Sequence, residues 1–412
     1  MKSAILSVGT ELLFGQIVNT NAVYLSQQLN LLGIDVMYHY TVGDNPRRLS
    51  ELLDHIYQDC DLIIATGGLG PTQDDLTKET VAEAFDDRLV LHQPSMDALE
   101  KRFAGRKIPM TENNRKQAWL PSKAEVLPNQ CGTAPGFALE KDGRIIICLP
   151  GPPKEMKDMF QKAVKPYLEA RSESVIYYKM LRAFGIGESA LETALLDLID
   201  GQTDPTIATY AKEGECSVRV ASKRATREEA KAAVEEMTEK VKERVGKYIY
   251  SCDNEELCQV VARKLMEKGV SVASAESCTG GLFAGALTDI PGISAVFDRG
   301  LVTYSNRAKV EELGVRPETL ERFGAVSRET AGEMAEGLAR ISGCQVCVAV
   351  TGVAGPDGGT PEKPVGLAYV AVHYKGKTQC RETTFRNQDR TWNRRHCVLL
   401  MLDTINKVLE EE

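Results

Sequence analysis

No apolar run in the 412 residues is long enough to cross a bilayer. The opening Met1-Lys-Ser-Ala-Ile-Leu-Ser-Val-Gly9 passes straight into a strand pattern. It lacks the long apolar core and cleavage site of a signal peptide, so a cytoplasmic protein is expected. There is no pair of Cys-x-x-Cys clusters. The 11 cysteines are scattered and odd in number, which argues for reduced thiols over a disulfide or zinc framework. Positive charge is not in excess: the formal net charge is -8, so an extended nucleic-acid footprint is not expected, and the lack of a spanning apolar run speaks against a membrane partner. Histidine is scarce too. In the last part of the chain His373 and His396 lie in no motif, which leaves a Ser-His-Asp triad unsupported.

What is present is an ordinary globular composition, 43% hydrophobic and 26% charged, in a length that suggests about two to four domains. Residues 1–168 alternate strand and helix patterns. Ala4–Val8, Val36–Val42 and Leu62–Ala65 read as strands, and Ala22–Leu32 and Leu49–Tyr57 as helices. This order predicts a parallel sheet with helices on both faces and a ligand site at the carboxyl ends of its strands. Three polar clusters fall there: Thr10-Glu11, Gly43-Asp44 and Thr66-Gly-Gly-Leu-Gly-Pro-Thr-Gln-Asp-Asp75. Gly67, Gly68 and Gly70 could form a backbone loop around phosphate, with Thr72 beside it. Asp74 and Asp75 could accept from a ribose hydroxyl or hold a hard cation. A glycine-rich turn with a capped helix is the plainer alternative.

Residues 169–250 read as a small α+β unit: a strand over Val175–Phe184, another over Ser217–Ala221 and a charged helix over Arg227–Val245. Residues 255–412 read as a second α/β domain. Within it, Ser274-Ala-Glu-Ser-Cys-Thr-Gly-Gly281 joins an apolar strand to a helix at Leu282–Leu287. Such a turn gathers backbone N–H groups at the positive end of a helix dipole. Ser277 would then be a nucleophile beside an oxyanion hole formed by amides near Cys278–Gly280, or simply part of a helix cap. With no histidine in place, Tyr304 at a strand end and Lys309 five residues on are the candidate bases. Burial can lower a lysine pKa enough for that work. Thr351-Gly352 ends a β-branched strand, and Arg386, Arg390 and Arg394 form a cationic series suited to phosphate.

The motifs also carry a resemblance. Gly67-Gly-Leu-Gly-Pro-Thr72 with Asp74-Asp75-Leu-Thr77, and Gly9-Thr-Glu-Leu-Leu13, are similar to the molybdopterin-binding fold. Together with Asn19-Thr-Asn21, Val42-Gly-Asp-Asn45, Gly132-Thr-Ala-Pro-Gly136 and Leu149-Pro-Gly-Pro-Pro-Lys-Glu-Met156, they resemble the competence/damage-inducible CinA family. Ala275–Gly281, Thr303–Asn306 with Lys309, and Ala349–Gly366 resemble its nicotinamide mononucleotide deamidase domain. The resemblance implies α/β domains with parallel-rich sheets at either end of the chain and a KH-like middle. It implies hydrolysis of nicotinamide mononucleotide to the acid and ammonia, with Ser277 as nucleophile and Tyr304 and Lys309 activating it. Thr279, Gly280, Ser294, Thr351, Gly352, Gly355 and Arg390 would bind substrate. For the first domain it implies cleavage of the ADP-ribose pyrophosphate with a divalent metal (Mg, Mn or Co) on Glu11, Asp44 and Asp75. It also implies a homodimer. The family's Phe-x-Gly-Asp-Arg is replaced here by Phe385-Arg-Asn-Gln-Asp-Arg390. The competing classes are a molybdopterin- or nucleotide-binding protein and a competence-linked interaction protein, both without deamidase activity.

Overall fold

The structure is a computed structural model that describes residues 1–106, 109–171, 175–212, 214–385 and 389–410. It falls into two compact units. The first holds Met1–Tyr178 with Ala221–Val234, and the second holds Lys179–Val220 with Glu235–Glu412. No described helix is long and apolar enough to cross a membrane, and all eleven cysteines are free thiols.

The first unit is built on a sheet of β1 (Lys2–Val8), β2 (Asp35–Val42), β3 (Leu62–Thr66), β6 (Glu125–Leu127), β7 (Gly136–Lys141) and β8 (Arg144–Leu149). The strand order is β2-β1-β3-β8-β7-β6. Strands β4 (Leu89–Leu91) and β5 (Trp119–Pro121) pair separately. Neighbouring residues of a strand point to opposite faces. Ile5, Ile64 and Ile147 therefore join Leu25, Leu29 and Phe160 in one core, while Leu6, Ile63 and Ile146 join Leu49, Leu53 and Val81 in the other. Burying each such side chain stabilises by roughly 1.5–3 kcal/mol, so both faces need their helices. β2, β1, β3 and β8 are parallel as expected, but β7 and β6 extend the sheet antiparallel. The β7–β8 hairpin turns on Asp142 and Gly143, both at positive φ, a two-residue connection that antiparallel strands permit.

Further along the chain, β9 (Val175–Phe184), β10 (Thr206–Lys212), β11 (Glu215–Arg224) and β12 (Ile249–Ser251) form a sheet in the order β10-β11-β9-β12. A larger sheet follows, with order β14-β13-β15-β16-β17. Its strands are β13 (Val272–Glu276), β14 (Phe297–Val302), β15 (Val346–Gly352), β16 (Leu367–Tyr374) and β17 (Lys377–Thr384). Val346, Val348 and Val350 pack against Val261, Leu265, Met401 and Ile405 on one face. On the other, Ala273, Ala275, Ala349 and Ala371 are small enough to admit helix Arg328–Ser342 with its Ala331 and Ala335. β13 is parallel to both β14 and β15, which lie on its two sides. The chain direction across the sheet therefore reverses at β13, and its carboxyl end opens at a topological switch point. Ser277 follows that end.

Candidate active site

Glu276, the last residue of β13, organises the turn that carries Ser277. Its side chain is 1% exposed. One carboxylate oxygen accepts the amides of Gly281 (3.0 Å) and Phe283 (3.1 Å), and the other accepts that of Ala284 (2.9 Å). These are orphan donors of helix Leu282–Thr288, and a carboxylate at a helix start satisfies them while complementing the dipole. Glu276 thus occupies the helix start itself. On the other side, Arg394 donates from Nε to Cys278 O (3.0 Å) and from Nη2 to Thr279 O (2.7 Å). Gly280 and Gly281 adopt φ of +60° and +94°, the left-handed region that the turn requires.

Lys309 is brought to Ser277 as anticipated. It sits in the first turns of helix Asn306–Leu313, capped by Ser305, and is 1% exposed. Its Nζ lies 3.1 Å from Ser277 Oγ, 2.8 Å from Thr303 O and 3.3 Å from Tyr304 O. Burial pushes its pKa down from the usual lysine value. A neutral amine in this position has two N–H groups for the two carbonyls and a lone pair for the serine hydroxyl.

The other anticipated residues divide. Tyr304 does not converge on Ser277: its ring is on the rim, 59% exposed, and its hydroxyl accepts from Arg390 Nη2 (3.0 Å). A side chain at the surface end of β14 has no apolar cover to turn it inward. Arg390 is exposed and also donates to Gly355 O (2.9 Å). Arg394 instead faces the turn, and Arg386 lies outside the described residues. Thr351 is buried with its hydroxyl donating to Ala325 O (2.7 Å). At Gly352 a Cβ would meet Leu367 O at 2.8 Å, so this glycine serves close strand packing. Thr279 is buried, and its Oγ1 has no hydrogen-bond partner among the described residues. Ser294 is exposed and precedes the amino end of β14, whereas Ser277 follows the carboxyl end of the parallel β13. The two lie at opposite sheet edges, so the chain does not bring Ser294 to Ser277. Cys278, the neighbouring thiol, is buried, and a hydrogen bond from Cys397 is the main influence lowering its pKa.

In the first unit, the carboxyl ends of β1, β3 and β8 border a cleft of about 300 Å³ lined by Glu11, Asn19, Asn21, Thr66 and Gly151. Asn21 donates to Gly151 O (2.7 Å), and its buried Oδ1 has no partner among the described residues. The three expected metal ligands are not assembled. Asp44 accepts from Thr10 N (3.0 Å) and Oγ1 (2.8 Å), Asp75 accepts from Thr72 N (2.9 Å), and Glu11 is exposed. Among the described residues no three His, Cys, Asp or Glu side chains form a metal-sized group. Asp44 and Asp75 are each tied to a hydroxyl or an amide of a nearby turn. The glycine loop is likewise filled from within. A Cβ at Gly67 would meet Val8 O at 2.0 Å, one at Gly68 would meet Thr77 Oγ1 at 2.0 Å, and one at Gly70 would meet Asp75 Oδ2 at 2.5 Å. Asp74 is exposed. Two lysines escaped the sequence reading. Lys78 is buried, its pKa lowered to about 8 chiefly by burial, and donates to Lys116 O (2.6 Å). Lys116 Nζ donates to Thr72 O (3.3 Å). No local motif announces Lys116, which reaches this loop only through the fold.

Comparison with known proteins assigns the chain to a family. Residues 254–409 match the family model of the CinA C-terminal domain, residues 178–251 that of the damage-inducible protein CinA KH domain, and residues 4–170 a molybdopterin binding domain model. A competence-damage inducible protein of Acetivibrio thermocellus is 52% identical over 93% of this chain and 92% of its own length. One from Clostridioides difficile is 49% identical over all of both chains. A solved CinA superfamily protein of Klebsiella pneumoniae is 33% identical over 38% of this chain and 97% of its own, with a TM-score of 0.37.

Proposed function

The chain belongs to the CinA family along nearly its whole length, and from that premise we propose that its last domain is a serine amidase for nicotinamide mononucleotide. One observation carries the reading: the buried amine of Lys309 lies 3.1 Å from Ser277 Oγ. Ser277 Oγ attacks the carboxamide carbon while its proton passes to Lys309 Nζ. The carbonyl oxygen becomes the oxyanion, met by amides of the Cys278–Thr279 turn. Collapse expels the amine, which takes the proton back from Lys309 and leaves as ammonia. Nicotinate mononucleotide then remains as an ester on Ser277. Water then attacks the ester carbon as Lys309 takes its proton, the Ser277 Oγ–acyl bond breaks, Lys309 returns the proton to Oγ, and the acid is released. Arg390 is the substrate-phosphate ligand, because it is the described arginine of the series that faces outward beside Tyr304. Gly280 is the exposed candidate beside Ser277, the remaining candidates Thr279, Thr351, Gly352 and Gly355 support the strand ends around it, and Tyr304 acts at the rim.

The direct test incubates the purified chain with nicotinamide mononucleotide and measures ammonia and the acid. Stoichiometric release of both supports the amidase. Absence of turnover would favour a nucleotide-binding or competence-linked interaction protein. For the first domain we propose hydrolysis of the ADP-ribose pyrophosphate in the cleft of Glu11 and Asn21. The carboxylates do not form a preformed cage, so any divalent cation (Mg, Mn or Co) would enter with the pyrophosphate, as Mg commonly does. The working form is a homodimer, which light scattering at micromolar concentration checks; a monomeric mass would overturn it.

A further inference from the structure

We propose that Arg394 is a positioning residue of the amidase site, orienting the peptide plane whose N–H meets the oxyanion. The inference rests on the serine-amidase reading above. Arg390 and Arg394 lie one helical turn apart on helix Arg390–Glu410, yet their guanidinium groups meet different partners. Arg390 reaches Tyr304 and Gly355 at the rim. Arg394 reaches under the nucleophile and holds the carbonyls of Cys278 and Thr279, the two residues that follow Ser277.

In a trans peptide the C=O and the next N–H point in opposite directions within one plane. Holding Cys278 O therefore aims the Thr279 N–H away from the guanidinium. Holding Thr279 O aims the Gly280 N–H the same way, and that donor is accounted for by Ser277 O at 3.1 Å. The Thr279 N–H has no acceptor among the described residues. The helix start cannot replace it, because the amides of Gly281, Phe283 and Ala284 donate to Glu276. A Cβ at Gly280 would come within 3.3 Å of Arg394 Nη2, so the turn lies directly on the guanidinium. A planar fork can hold two carbonyls at a set spacing, whereas an ammonium is a single point of contact.

Steady-state kinetics of the full chain with nicotinamide mononucleotide test this. Arg394→Ala is expected to lower kcat on the order of 10²-fold, as loss of an oxyanion donor does, with KM changed by no more than about twofold. Millimolar guanidinium should restore part of that loss, and should do nothing for Ser277→Ala. Arg394→Lys, which keeps the charge and much of the bulk, should lose kcat without raising KM. Arg390→Ala should instead raise KM. If Arg394→Ala raises KM while kcat stays within about threefold of the parent, Arg394 is a substrate ligand and the proposal is wrong. Failure of guanidinium to restore any kcat also overturns it. If the parent chain releases no ammonia, the amidase reading is what fails. Labelling of Ser277 by a fluorophosphonate then tests Arg394 separately: slower labelling of Arg394→Ala and Arg394→Lys sustains the positioning role, and unchanged rates end it.

Discussion

Replacing Glu276 by glutamine keeps the side chain's size but removes its charge and one acceptor oxygen. In the parent, Oε2 accepts from Gly281 and Phe283, while Oε1 accepts from Ala284 and lies 3.4 Å from Ser274 Oγ. A glutamine does best with its oxygen at the Oε2 position, where two amides need it. Its NH2 then faces the Ala284 N–H, leaving a buried donor without an acceptor at a cost of roughly 1–3 kcal/mol. The two retained bonds lose charge assistance and the helix start loses its anionic neighbour, about 1 kcal/mol more. The sum, about 2–4 kcal/mol, falls on one turn. Hydrogen exchange followed by mass spectrometry on the segment 276–285 reads it. If those amides exchange through local opening, Glu276→Gln should speed them roughly 30- to 700-fold. Segments of the first unit, such as β3, serve as the internal reference. Exchange within about threefold of the parent would refute the carboxylate as the cap of this turn.

Ser277→Ala should lose on the order of 10³-fold or more in deamidation, and adding Lys309→Ala should cost little beyond it, because nucleophile and base act as one unit. Cys278→Ala is the control for the adjacent thiol; near-normal turnover of Ser277→Ala alongside an inactive Cys278→Ala would reverse the assignment. The rate should rise with pH as Lys309 loses its proton, at a pH below the usual lysine range because burial lowers its pKa. The same shift acts on folding: the unfolded chain binds this proton more tightly. Lys309 therefore lowers stability progressively as pH falls from the unfolded lysine value through its folded pKa, and Lys309→Met should flatten both profiles. Asp75→Asn, by weakening the tie to Thr72, should reduce ADP-ribose cleavage and leave deamidation intact; equal loss of both would show the two sites to be interdependent. Chelators should suppress only the ADP-ribose activity.

Most helices and strands were legible because their signals are local. The spacing over Arg227–Val245 matched the observed helix, and the β-branched run that ends at Thr351-Gly352 is a central strand. The antiparallel edges were not legible. β17 has an alternating polar pattern, and its hairpin turns on Lys375 and Gly376 at positive φ, where lysine is not a usual turn signal. Sequence placed Thr10-Glu11, Gly43-Asp44, the Gly67 loop and Ser277 after strands, and parallel topology puts such positions at the carboxyl edge of a sheet.

The amino-acid sequence by itself thus determined the α/β class, the strand ends that carry polar clusters, and the Ser277–Lys309 candidates. Which polar groups meet was decided only in the tertiary structure. A helix start with several unpaired amides accepts the nearest anion of suitable reach, and that anion is the chain's own Glu276. Asp44 and Asp75 have hydroxyl and amide partners close at hand and so do not gather as a metal cage. Ser294 is carried by the direction of β14 to the far edge of the sheet, and Tyr304 turns to Arg390 because the rim offers no burial. Arg394, more than a hundred residues from the turn in sequence, reaches it because its helix packs across the same sheet. Such pairings depend on distances between segments remote in the chain, which no local pattern encodes.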